Sequence, residues 1–253
     1  MRNAVLFTLL GLVTLGASPV KKLVLAYAPK ESHTMYLVGA YDRARGWRGP
    51  EQLVGAVGTR NYRIYTLNGD QGEVEGGQPR EGPAGVEGRL ARKLHREALL
   101  VNGDRPDLVP ITPGDASDPA LNAALTTFLR SQGVAISQAE VTQHVKVDLD
   151  GDGAAESVAC CRHLDVYSDV KKPVDYSLVA VVRGARVVPL MLQTARLQAD
   201  LPWEHYELLT VANMDGAGPN ELAILYHYYE GGGVVVFEGS EEPKVLVRGD
   251  WGL

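Results

Sequence analysis

The segment Thr142-Gln-His-Val-Lys-Val-Asp-Leu-Asp-Gly-Asp-Gly-Ala-Ala-Glu-Ser-Val-Ala-Cys-Cys161 sets two short β-type runs on either side of a nine-residue loop of acids and glycines. Within Asp148–Glu156, carboxylates stand at positions 1, 3, 5 and 9 (Asp148, Asp150, Asp152 and Glu156), with Gly151 and Gly153 at positions 4 and 6. A hard cation such as Ca²⁺ takes six to eight oxygen ligands at roughly 2.3–2.6 Å. Alternate aspartates in a tightly curled loop aim their oxygens inward, and glycine permits the curl without a Cβ clash. The main-chain carbonyl of Ala154 is the expected position-7 ligand, and Glu156 closes the sphere. An EF-hand is excluded, because its twelfth position is here Ala159 and its flanking helices are replaced by strands.

The pattern returns 65 residues later as Asn213-Met-Asp-Gly-Ala-Gly-Pro-Asn-Glu221. Asn213, Asp215 and Glu221 align with Asp148, Asp150 and Glu156, while Ala217 stands where Asp152 does. Tyr206–Val211 before this loop and Leu222–Tyr226 after it are again strand-like, so the two units read as an internal repeat. Both loops resemble the D-x-D-G-x-G-x-x-E calcium loop of FG-GAP (VCBS-type) repeats, and the likeness covers roughly residues 138–240. The resemblance implies Ca²⁺ as cofactor, with propeller-blade-like strand–loop–strand units, although two units are too few to close a propeller. It also implies kinship with secreted bacterial proteins of unassigned role.

Outward from the loops the chain is mainly β, with antiparallel strands and one or two α-helices expected. Lys22–Tyr27, Met35–Tyr41 and Tyr62–Leu67 carry β-branched and aromatic residues between turn signals. Tyr176–Val182 and Arg186–Leu192 read as a hairpin about Gly184. Gly69–Gly88 reads as a glycine-rich loop or linker, and Gly88–Leu100 fits either a helix or a strand. A helix is expected at about 118–132. Asp118 is its N-cap, Pro119 its first position, Gly133 its left-handed terminator, and Ala120, Leu121, Ala124, Leu125, Phe128 and Leu129 its apolar stripe. The expected organisation is a leader at 1–17, a β-rich region with the helix at 18–135 and the paired loops at 136–253.

Arg2, the apolar run Ala4–Leu15 and the small residues Gly16-Ala17-Ser18 have the form of a secretory signal. Twelve apolar residues are too few to span a bilayer, which needs roughly 20. A secreted or periplasmic location follows as the expectation, and there calcium is abundant. The 253-residue chain has 45% hydrophobic and 22% charged residues. Its net charge is −6, and removing residues 1–17 takes away one Arg and no acid, which makes it −7. An acidic surface without a basic run argues against nucleic acid, or a membrane beyond export, as partner. The expected partner is an extracellular or envelope ligand, protein or glycan.

Other chemistry finds little support. The two cysteines, Cys160 and Cys161, are neighbours and so cannot staple the fold; they are expected as free thiols, one buried and one near the surface. None of the six histidines forms H-x-x-x-H or H-E-x-x-H, so zinc has no sequence signature. His144 reads as a half-buried structural histidine. Nucleophile-elbow and phosphate-loop motifs are absent. Tyr226, Tyr228 and Tyr229 with Glu230 suggest cross-strand packing beside a turn at Gly231–Gly233, or else a glycan-binding face. The expectation is a non-catalytic binding or structural module stiffened by Ca²⁺. Its alternative is a secreted hydrolase acting on an extracellular polymer, with calcium in a structural role.

Overall fold

The computed structural model describes residues 22–55, 57–164, 172–197 and 203–252. The N-terminal leader expected at 1–17 lies outside them. Among the described residues there are three antiparallel sheets and one α-helix, so the fold is mainly β. The first sheet contains β1 (Lys22–Ala28), β2 (Thr34–Asp42), β3 (Gly46–Arg48), β4 (Arg60–Thr66), β5 (Gly69–Gly76), β6 (Arg80–Gly82), β7 (Gly85–Arg89) and β8 (Ala98–Gly103). Its order is β5-β4-β8-β1-β2-β7-β6, with β3 also on β2.

Two short strands, β9 (Asp107–Leu108) and β10 (Thr112–Pro113), carry the chain on to the helix α1 (Pro119–Ser131). Two four-stranded meanders follow. One is β11 (Val141–Val147), β12 (Glu156–His163), β13 (Tyr176–Arg183) and β14 (Arg186–Thr194), with β10 on its β11 edge. The other is β15 (His205–Asn213), β16 (Glu221–Tyr228), β17 (Gly231–Glu238) and β18 (Lys244–Gly252), with β9 on its β15 edge. In both meanders an acid–glycine loop joins the first strand to the second.

The sheets stack face to face, with the β15–β18 sheet in the middle. On one side its Ala212, Leu225, Val234 and Trp251 meet Leu23, Leu25, Val38 and Leu99 of the first sheet. On the other, Leu208, Ile224 and Phe237 meet Val145, Val158 and Val179. Helix α1 covers the outer face of the β11–β14 sheet, with Leu121, Leu125 and Leu129 against Ala159, Leu178 and Ala180. A strand covered on both faces has no solvent side to fill with polar residues. This is why Tyr176–Val182 is buried throughout and shows no alternation.

The helix begins as expected, for the Asp118 carboxylate accepts the N–H groups of Ala120 and Leu121. Gly133 follows in the left-handed region with φ 86°. The buried face is narrower than the expected stripe. Ala120 is exposed and Ala124 and Phe128 only half-buried, while Asn122 and Thr126 turn inward. Those two polar side chains are satisfied locally, Asn122 by the carbonyls of Ala116 and Asp118 and Thr126 by that of Asn122.

Several expectations need correction. Gly69–Gly88 is not a loop: it contributes β5, β6 and most of β7. These outer strands pair through their backbones and bury only Val74, Gly76 and Val86, so no apolar period marks them. Gly88–Leu100 holds no helix, since β8 begins at Ala98. The hairpin after β16 turns at Tyr229-Glu230, and Gly231–Gly233 lie in β17. Those glycines are required by close neighbours, for a Cβ on Gly233 would run into the Tyr226 ring and one on Gly231 into the Trp251 carbonyl. Tyr226 is itself buried, leaving only Tyr229 largely exposed, so the three tyrosines present no common face. Both cysteines are buried, Cys160 between the two meanders and Cys161 under the helix. His144 is structural, with Nδ1 on the Asp115 carbonyl at 2.9 Å and Nε2 on Ser157 Oγ at 3.0 Å.

Candidate metal centre

The Asp148–Glu156 loop curls back on itself between β11 and β12. Gly151 and Gly153 both have positive φ, 79° and 90°, which an L side chain adopts only with strain. Asp148 anchors the curl, its two carboxylate oxygens accepting from Gly151 N at 2.7 Å and Gly153 N at 2.9 Å. Glu156, at the start of β12, accepts from Leu149 N at 2.9 Å and is buried. Together these bonds bring one oxygen each of Asp148, Asp150 and Glu156 within 4.8 Å of one another. Among the described residues this is the one trio of possible metal ligands so arranged.

Two expected ligands stand apart from the trio. Asp152 accepts from Ala154 N at 2.7 Å in its own turn, and Ala154 enters the loop's bonding through that N–H. Three converging carboxylates suit a hard cation, with carbonyl and water oxygens filling a sphere of six to eight. A protein cation already leans on them: Arg183, at the end of β13, places Nη2 3.5 Å from Asp150 and Nε 3.4 Å from Glu156. The arginine offsets part of the repulsion among the three acids.

The second loop copies the frame with fewer ligands. Gly216 and Gly218 have φ 78° and 66°, Asp215 accepts from Ala217 N at 2.8 Å, and Glu221 accepts from Met214 N at 2.6 Å. The bond from Glu221 to Met214 corresponds to the bond from Glu156 to Leu149 at the same 65-residue offset. Asn213 ends β15 opposite Asp107 of β9. Glu221 is 1% exposed, and burial pushes its carboxyl up to about 8. The neighbouring Asp215 charge adds to that rise, while the Met214 amide opposes it. An acid shifted in this way takes up a proton unless a cation sits beside it.

One residue joins the loops. Asn220 donates its side-chain N–H to the Asp148 carbonyl at 2.7 Å and its backbone N–H to the Leu149 carbonyl at 2.7 Å. Its own carbonyl accepts from Gly239 N. The second loop therefore holds the backbone of the first. Neither Asn220 nor Arg183 carried a sequence signal, because each acts across a sheet boundary or from a distant strand.

A different group of titratable side chains gathers at the opposite end of the β15–β16 hairpin. His205 and Glu207 lie two residues apart on β15, and the ladder sets His205 opposite His227 of β16. Glu97, just ahead of β8, and Tyr27 of β1 come from the facing sheet. Burial, aided by the charges of His227 and Arg162, pushes the His205 imidazole down to about 4. Burial and the Glu97 charge raise Glu207 above the usual carboxylate range. Burial works the same way on Glu97, yet the facing His227 and Tyr27 hold it below that range. Glu97 and Glu207 also line a cleft of about 510 Å³, with Lys30, Asn68, Arg96 and Gln143.

No protein-family model, curated protein or solved structure matches this chain.

Proposed function

We propose that the chain is an exported calcium-binding protein, a non-catalytic binding or structural module in which Ca²⁺ stiffens the junctions between strands. The observation that carries this reading is the convergence of Asp148, Asp150 and Glu156 on one point within a glycine-curled loop. The second loop, with its matching bond from Glu221 to Met214, supports reading the two meanders as repeats of the FG-GAP type. On this reading each meander is a blade-like unit. Asn220 then makes the two units respond together, since an ion at the first loop fixes a backbone that the second loop also holds.

The test is thermal unfolding of the full chain in millimolar Ca²⁺ and in EDTA, beside Asp150→Ala. Saturation at about 100 times Kd stabilises by roughly 2.7 kcal/mol, a rise of roughly 5–10 °C for a chain of this size. The variant is expected to lose most of that rise. An unchanged midpoint on calcium addition would reduce the loop to a turn.

One observation favours a second reading, a hydrolase acting on an extracellular polymer. Glu97 and Glu207 are carboxyls pushed in opposite directions in a cleft remote from the loops, a combination suited to an acid and a base. Release of reducing ends or peptides from envelope polymers, lost in Glu207→Gln and kept in Asp150→Ala, would carry that reading.

A further inference from the structure

Two recesses meet where strands of all three sheets come together. One, of about 590 Å³, is lined mainly by apolar side chains, among them Leu67, Leu108, Val109, Ile111 and Val211. The other is the 510 Å³ cleft that Glu97 and Glu207 line. Thr66, Leu67, Asn68 and Gln143 border both, so the two are halves of one groove. The groove exists because β15 has little beside it: β9 pairs only with Ala212 and Asn213. Further along, the Gln143 side chain stands in for a strand. Its Oε1 accepts from Leu208 N at 2.8 Å and its Nε2 donates to the Leu208 carbonyl at 3.4 Å. One amide thus satisfies that stretch of edge and leaves the space on either side open.

The polar half carries both signs of charge, and they do not cancel one another. Glu97 has His227 Nε2 at 3.3 Å and the Tyr27 hydroxyl as its partners, and it also lies within hydrogen-bond reach of Glu207. His95 is held by Glu31 at 3.0 Å. Lys30 and Arg96 are exposed, and neither forms an ion pair with a described residue. Two carboxyl groups in contact repel when both are ionised, and burial of Glu207 adds to that cost. A cationic group set beside them relieves the repulsion. Lys30 and Arg96 call for the opposite, and a guanidinium takes a carboxylate through two parallel hydrogen bonds.

We propose that this groove binds a short apolar peptide with free termini, its ammonium group against Glu97 and Glu207, its carboxylate on Lys30 and Arg96, and its side chains in the apolar recess. The inference rests on reading the chain as a binding module, and it does not require an ion in the loops. Ligand sites commonly join an apolar wall to a few polar groups that fix orientation, and here those groups come as one pair of each sign. A neutral sugar would leave both pairs unanswered. A purely anionic or purely cationic ligand would set one pair against a like charge.

The experiment titrates the full chain, in millimolar Ca²⁺, with the dipeptide Leu-Leu by calorimetry, and then with N-acetyl-Leu-Leu, Leu-Leu amide and Gly-Gly. Leu-Leu is expected to bind one to one. Either cap should weaken it roughly tenfold or more, and Gly-Gly, which leaves the recess empty, should lose a similar factor. Glu207→Gln should bind Leu-Leu more weakly and no longer distinguish it from the acetylated form, whereas Arg96→Ala should no longer distinguish it from the amide. Glu97→Gln repeats the first test should Glu207→Gln fail to fold. If Leu-Leu does not bind, or if the capped peptides bind as well as the free one, the proposal is overturned. Melting curves of the same samples separate this outcome from the calcium reading. No peptide binding beside an intact calcium-dependent rise in midpoint sinks the groove alone. Peptide binding in a protein whose midpoint ignores both Ca²⁺ and EDTA sinks the calcium loops alone.

Discussion

Replacing Arg183 with Gln should weaken the metal-free protein and tighten its hold on calcium. Arg183 sits 3.5 Å from Asp150 and 3.4 Å from Glu156, with 18% of its side chain exposed. Each contact is worth about 5 kcal/mol in gross Coulomb terms at an effective dielectric constant of 20. Desolvation of the guanidinium removes most of that. Because Asp150 remains 27% exposed, the net loss on substitution falls between the values for surface and buried pairs, at roughly 1–3 kcal/mol. Without calcium the midpoint should therefore drop by roughly 2–10 °C.

Once a doubly charged ion occupies the trio, the sign reverses. A guanidinium about 5 Å from Ca²⁺ is repelled by roughly 2–3 kcal/mol at dielectric constants between protein surface and water. The arginine can swing aside, which leaves a penalty of about 1–2 kcal/mol. Removing it should tighten the calcium Kd by roughly five- to thirtyfold. Calorimetric titration gives the affinity, and melting curves with and without Ca²⁺ give the two stabilities. Should Arg183→Gln bind calcium no better than wild type, the arginine is a framework residue. The trio would then not be poised for an ion.

Two further outcomes follow from the same geometry. Asn220→Ala leaves the Asp148 carbonyl without its 2.7 Å partner, which should cost about 1–2 kcal/mol and weaken first-loop calcium binding several-fold in the same titration. An unchanged affinity would mean that the loops do not communicate through this side chain. The thiols of Cys160 and Cys161 should resist a thiol-specific reagent at pH 8, with both titrating after denaturation. Burial raises both, Cys161 up to about 12, and the thiolate is the reactive form.

The loops were legible because their chemistry is local. Six residues of one short segment, Asp148, Asp150, Gly151, Asp152, Gly153 and Glu156, set the curl and the acids. Helix α1 was legible for a similar reason, since Asp118, Pro119 and Gly133 mark its ends within the helix's own sequence. What escaped depends on pairing between distant segments. Val74 and Gly76 are the only buried residues of β5, too few to mark a strand, yet the backbone of β4 pairs with it on both sides of a register shift at Arg63/Tyr65. His205 and His227 are 22 residues apart and match no metal motif, but the β15–β16 register makes them neighbours. Glu97 joins them only because the first sheet packs on the third. Spacing rules written for helices and tight loops miss titratable groups collected across a ladder.

The loop acids and the histidine group sit at different junctions, and that decides how a metal response would be read. The trio lies at a junction between the strands of the outer meander, and Asn220 ties its backbone to the loop of the central one. The histidine group instead lies between the central sheet and the first, because Glu97 and Tyr27 come from one and His205, Glu207 and His227 from the other. If Ca²⁺ occupies the trio, a midpoint lowered by EDTA and restored by Ca²⁺ should lose that response in Asp150→Ala and keep it in His205→Gln. Loss of the response in both variants would mean that the β15–β16 ladder couples the histidine end of the hairpin to the loops.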